Sequence, residues 1–111
     1  ALYGGSDDCV LQAMALGAHG VISVAANLIP DQMHAMVMDW IRGDPKACRE
    51  KQFRWMPLIR RLFSEVSPIP VKAALSMMGR IEDTLRLPLV SLSESAREAL
   101  RREMKRMELI Q

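Results

Sequence analysis

The sequence predicts an α/β chain that is mostly helical, with one parallel βαβ unit at its start and helices from there on. Two observations predict the unit. Leu2-Tyr3 runs into Gly4-Gly5 like a strand ending in a tight turn, and Gly20-Val21-Ile22-Ser23-Val24 is a short β-branched run bounded by glycine and by Asn27, with a helical stretch between the two. A third observation predicts the rest, because apolar residues recur at helical spacing after Pro30. Strands joined by a helix must lie parallel. Two parallel strands leave faces and edges bare, so the pair is expected to need further structure beside it.

Each element follows from local chemistry. Ser6, Asp7 or Asp8 can cap the first helix, expected over residues 9–16, since their oxygens accept from free amides at a helix start. Val10, Ala13, Met14 and Leu16 give it an apolar side, and Gly17 is its stop. Pro30 suits a first helical turn, where its missing N–H costs nothing. Met33, Met36, Val37 and Trp40 follow on one face until Gly43. Asp44 caps a long helix to about Phe63, with Pro45 in its first turn and Pro57 inside it as a kink. Its buried stripe is expected to be Phe53, Met56, Ile59 and Phe63, with Arg49, Arg54, Arg60 and Arg61 in solvent or ion pairs. Ser67-Pro68-Ile69-Pro70 is expected to be non-helical, because residues before proline are pushed toward extended conformations. A helix over residues 71–78 ends at Gly79, and Arg86-Leu87-Pro88-Leu89 reads as an extended connector. Ser93 caps the last helix, with Ser95 and Glu98 as an alternative capping box, and Ala96, Leu100, Met104 and Met107 form its apolar side.

Composition narrows the function classes. The 111 residues suffice for one small domain, and half are hydrophobic with a quarter charged. Only 5% are aromatic, so aliphatic residues and the nine methionines must fill the core. The net charge of +2 is interspersed, unlike the concentrated basic face of a nucleic-acid binder. No apolar run reaches the roughly 18 residues of a membrane span, and no signal-peptide pattern is present. Cys9 and Cys48 make no metal or redox motif and read as free thiols of a cytosolic protein. The chain opens on Ala1 in what reads as mid-strand, so an excised or partial chain is expected.

The candidate functional residues are few. Gly4-Gly5-Ser6-Asp7-Asp8 joins a strand to a helix, which reads as a plain turn with a capping aspartate or, on a (β/α)₈ barrel, as part of the catalytic face. Asp7 and Asp8 are adjacent and point apart, which speaks against an acid/base dyad. His19 and His34 complete no ligand set, so no metal site is expected, and no cofactor fingerprint occurs. A Schiff-base lysine needs a dry pocket. Lys46, Lys51, Lys72 and Lys105 all fall in helical stretches, and solvated or ion-paired roles are expected for all four.

Three stretches in register resemble the dihydrodipicolinate synthase family. Gly20-Val21-Ile22-Ser23-Val24-Ala25-Ala26-Asn27 resembles its last barrel strand. Pro68-Ile69-Pro70-Val71-Lys72 with Ala74 and Gly79 resembles its interhelical motif, and Leu85-Arg86-Leu87-Pro88-Leu89 with Leu92-Ser93-Glu94 resembles the run into its final helix. The resemblance implies the last two strands of a TIM barrel, with the last βα units over residues 1–43 and a C-terminal helical domain over residues 44–111. It implies a class I lyase that condenses pyruvate with aspartate semialdehyde in lysine (diaminopimelate) biosynthesis, a cytoplasmic enzyme that needs no cofactor and forms a homotetramer. Its imine-forming lysine and proton-relaying tyrosine would lie upstream of Ala1, so the chain alone is expected to be inactive. As substrate-binding positions the resemblance implies Ile22, whose carbonyl would face pyruvate, Gly5 and Ser6 in the family's Ser-Gly-Asp-Asp turn, and Ser67 near the site mouth. Gly4 stands for that serine, Ser6 for the first aspartate, and Ser67 for the usual asparagine. These departures leave a related pyruvate aldolase, of the N-acetylneuraminate lyase or ketodeoxygluconate aldolase type, as an alternative. A free-standing helical interaction module, with arginines gathered on one face of the 44–63 and 93–110 helices, is a further alternative.

Overall fold

A computed structural model describes residues 1–111. Five α-helices carry the chain: α1 (Val10–Ala15), α2 (Pro30–Ile41), α3 (Pro45–Leu62), α4 (Ile69–Met77) and α5 (Glu94–Arg106). Two compact units divide it, Ala1–Ile59 and Arg60–Gln111. None of the helices is long and apolar enough to cross a membrane.

In the first unit neither expected strand forms as a strand, and the pair is reduced to one point of parallel contact. Gly4 and Val21 form a single parallel bridge. It is held by Gly4 N to Gly20 O and Ile22 N to Gly4 O, both 2.8 Å, and extended backwards by His19 N to Leu2 O, also 2.8 Å. The second segment does not stay extended to Val24, which has helical backbone angles and opens a 3-10 turn over Ala25–Asn27. The reason is a competing partner: the amides of Val24 and Ala25 are taken by a side chain instead of a neighbouring strand.

Between these segments, a 3-10 turn (Asp7–Cys9) leads into α1, which is shorter than expected. Gly17 (φ +94°) and Gly43 (φ +84°) stop α1 and α2 in the left-handed region that favours glycine. Val10 and Met14 from α1 and Met33 and Met36 from α2 are buried where these two helices pack together, with Ala25, Leu28 and Ile29 between them in sequence. Met14, Met33 and Met36 therefore serve as core filler here, while Met38 is only partly buried.

Helix α3 bears out only part of the expected stripe, since Ile59 is buried and Met56 half-buried while the two phenylalanines are exposed. Asp44 caps it as expected, accepting from Ala47 N at 2.9 Å. The buried stripe is Cys48, Gln52, Trp55, Leu58, Ile59 and Leu62, at the i, i+4, i+7, i+11 spacing of one helical face. Phe53 is 67% exposed and Phe63 44% exposed. The sequence offers two apolar phases on this helix, and periodicity alone cannot choose between them. Pro57 lies within the helix and is itself exposed. The carbonyl it deprives of a donor, four residues back at Phe53, is on the exposed side, where water can satisfy it. Arg49, Arg54, Arg60 and Arg61 are exposed.

In the second unit α4 packs against α5. Ile69 and Pro70 belong to α4, contrary to the non-helical reading, because a proline in the first turn forfeits an amide that has no helical acceptor anyway. Gly79 (φ +71°) ends this helix. The Arg86–Leu89 connector is a turn, closed by Leu89 N to Arg86 O at 3.0 Å, and not an extended run. Ser93 caps α5, accepting from Ala96 N at 3.4 Å, while Leu100 and Met104 are fully buried. Arg97 pairs with Asp83 at 2.5 Å.

The phase of α3 is testable by truncation. Leu58→Ala removes a fully buried side chain and is expected to cost about 2–5 kcal/mol. Phe53→Ala, on the exposed face, is expected to shift stability by less than about 0.5 kcal/mol. Urea unfolding of the two variants beside the parent chain measures both.

Candidate functional site

The turn 4–8 and the segment 20–27 meet at one end of the parallel pair, at the C-terminal ends of both extended stretches. What fixes them is Asp7. Its side chain is 1% exposed, and Oδ2 accepts from Val24 N at 3.0 Å and Ala25 N at 2.9 Å. A carboxylate receiving two amides makes strong, charge-assisted bonds. Asp7 thus caps the 3-10 turn of the second segment and not its own helix, which has no side-chain cap. Asp8, its neighbour, is exposed and accepts from Ser6 Oγ at 2.6 Å. The two acids diverge as expected.

A second side chain locks the same turn from the far end of the unit. Gln52 of α3 is 2% exposed. Its Nε2 donates to Asp7 O at 2.9 Å and its Oε1 accepts from Leu11 N at 3.3 Å. Sequence reasoning missed Gln52. Its only signal is a lone polar residue on the buried stripe of an amphipathic helix, where an unpaired amide would be costly.

The positions singled out from sequence fall as follows. Gly5 is exposed, and a Cβ there would meet nothing within 4 Å. Ser6 is partly buried, and Ile22 is 72% exposed. Gly5 and Ile22 are brought side by side, because Ile22 N bonds to Gly4 O. The Gly5 amide and the Ile22 carbonyl take no part in the surrounding backbone hydrogen bonds. Ser67 lies in the second unit, exposed, just before α4. At Gly4 a Cβ would sit 3.2 Å from Ala13 Cβ, so the glycine lets this segment lie close against α1.

A cleft of about 280 Å³ opens in the first unit, lined by Tyr3, Val21, Ser23, Met33, His34 and Val37 among others. Alternation along an extended segment sends Val21 and Ser23 to the face opposite Ile22, so this cleft is separate from the Gly5–Ile22 corner. The titratable groups offer little chemistry. His19 accepts from Leu2 N at 3.4 Å and sits beside Tyr3, with ring centroids 6.2 Å apart. No three His, Cys, Asp or Glu side chains come together as a metal site would require. Lys51 pairs with Asp39 and Lys72 donates to the Thr84 carbonyl, while Lys46 and Lys105 are exposed. Burial, and then the nearby Asp39 carboxylate, push the Cys48 thiol above its ordinary value of 9.0.

Residues 1–107 match the dihydrodipicolinate synthetase family. The chain belongs to that family. The 4-hydroxy-tetrahydrodipicolinate synthase of Maridesulfovibrio salexigens is 47% identical over 106 residues, which are 96% of this chain and 36% of the relative. That of Lachnoclostridium phytofermentans is 42% identical over 109 residues, 98% of this chain and 37% of the relative. The crystal structure of dihydrodipicolinate synthase from Thermotoga maritima superposes with a TM-score of 0.95 at 42% identity, covering 97% of this chain and 37% of that one. The chain therefore spans just over a third of the length of the dihydrodipicolinate synthases it matches.

Two measurements check the site. Asp7→Ala strands two amides and is expected to destabilise the chain by about 2–4 kcal/mol, whereas Asp7→Asn, which keeps an acceptor, is expected to cost less; urea unfolding ranks the two. The raised Cys48 value means the native state holds its proton to higher pH than the unfolded chain does. Its contribution is complete below the ordinary thiol value and is lost as pH rises through that value toward the native one. Between about pH 8 and about pH 10 the parent chain is expected to lose more stability than Cys48→Ala does.

Proposed function

We propose that this chain is the closing portion of a TIM-barrel 4-hydroxy-tetrahydrodipicolinate synthase, supplying part of the substrate-facing wall and none of the reactive amine. On this reading residues 1–43 are the last βα units of the barrel and residues 44–111 its C-terminal helical domain. The intact enzyme is a cytoplasmic homotetramer that joins pyruvate to aspartate semialdehyde. The observation that carries the reading is the corner at which Ile22 and Gly5 sit together, on either side of the Ile22 N to Gly4 O bond. It lies at the C-terminal ends of parallel segments, where barrels of this class place their chemistry. The Ile22 carbonyl, free of backbone partners, suits pyruvate held as an imine, and the open Gly5 backbone suits the incoming aldehyde. Ser6 joins them in the first unit, and Ser67, in the second unit, is carried over from the family resemblance alone.

The amine comes from elsewhere in the enzyme. Imine formation needs a neutral lysine in a dry pocket. Lys51 and Lys72 are engaged by Asp39 and Thr84, and Lys46 and Lys105 are bathed in solvent. In the intact enzyme a lysine and a proton-relaying tyrosine outside these residues take those roles. Gly4 and Ser6 depart from the family's turn at the aldehyde side, which favours a related pyruvate aldolase as the second reading.

Trapping distinguishes what the chain holds. Incubated with pyruvate and borohydride and then weighed, the 111-residue chain is expected to gain no pyruvyl group. The natural polypeptide that carries it is expected to gain one, on a lysine outside these residues. A stable adduct at Lys46, Lys51, Lys72 or Lys105 would refute this assignment.

A further inference from the structure

We infer that Gln52 is a positioning residue for the reaction: from helix α3 it sets the placement of both backbone segments that meet substrate, acting through Asp7. The inference rests on the proposed synthase reading, since it concerns the same corner. Three links carry it. The amide of Gln52 spans the start of α1, donating to Asp7 O at 2.9 Å and accepting from Leu11 N at 3.3 Å. Both ends of a 2% exposed side chain are thereby used, so it has one rotamer that leaves neither partner nor itself unpaired. Asp7, held by its carbonyl, then places its carboxylate on Val24 N and Ala25 N at 3.0 and 2.9 Å. The substrate-facing atoms each lie two residues before one of these anchors, Gly5 before Asp7 and Ile22 before Val24.

No other side chain from a later helix bonds residues 7–11. Leu11 and Asp7 are 41 and 45 residues from Gln52 in sequence. A hydrophobic residue of the same size would fill the space and keep the helix packed, as the neighbouring Cys48 and Trp55 do, but would let the turn slide along α3. Small misplacements of groups facing a reacting centre are costly, because productive geometry tolerates little displacement. Loss of Gln52 should therefore act on both substrates at once, through Ile22 on pyruvate and through Gly5 on the aldehyde.

The test is Gln52→Met in the natural full-length polypeptide that carries this chain, assayed with pyruvate and aspartate semialdehyde. The expected result is a rise of about tenfold in KM for both substrates, with faster amide exchange at Leu11, Val24 and Ala25. A purely structural role would lower the amount of active enzyme, seen as a fall in apparent kcat with both KM values unchanged, and that outcome overturns the inference. If the parent polypeptide shows no condensing activity, the synthase reading fails by itself. The positioning role is then decided by exchange alone: acceleration of about tenfold at Val24 and Ala25 supports it, and unchanged exchange there rejects it. Should Gln52→Met not accumulate as folded protein, Gln52→Glu, which keeps an acceptor for Leu11 and loses the donor to Asp7, is read by the same criteria.

Discussion

A buried carboxylate tied to two backbone amides organises the first unit. Asp7 sits in the turn after one extended segment and grips the amides of Val24 and Ala25 at the end of the other. The two segments share only one bridge, so backbone pairing alone holds them weakly. The carboxylate adds two charge-assisted bonds where the ladder stops, and it converts the end of the second segment into a 3-10 turn that leads to α2. The corner that presents Gly5 and Ile22 is set by the Ile22 N to Gly4 O bond, the Asp7 link ties down the chain just beyond it, and Gln52 joins that link to α3.

The parts of the fold legible in the sequence were those set by local chemistry. Glycines with positive φ ended α1, α2 and α4 where they stood in the sequence, and Asp44 and Ser93 capped α3 and α5 as side-chain acceptors do. The misread parts depended on choices that local chemistry leaves open. Phe53 and Leu58 are both good core residues, and only the packing of the other helices decides that Leu58 goes in and Phe53 stays out. Pro70 reads as a helix breaker until the helix is seen to begin just before it, at Ile69.

The site divides the same way. The family resemblance singles out Gly5 and Ile22, and the structure sets them side by side. Asp7 was legible as a helix cap, yet it caps a turn 18 residues further on, and nothing within its own neighbourhood encodes that partner. Gln52 was invisible for the same reason at greater range. Ser67, named on resemblance, lies in the second unit. The chain belongs to the dihydrodipicolinate synthetase family and spans just over a third of the length of its relatives, and its four lysines are each engaged or solvated.

The first unit depends on the Asp7 link, and that link can be observed directly. Scalar couplings across hydrogen bonds, measured by NMR on isotopically labelled chain, connect an amide nitrogen to the carbon of the group that accepts from it. Cross-peaks from the Val24 and Ala25 nitrogens to the side-chain carboxyl carbon of Asp7 are predicted. Their absence, in a spectrum where the helical couplings of α2 and α3 are resolved, would contradict it.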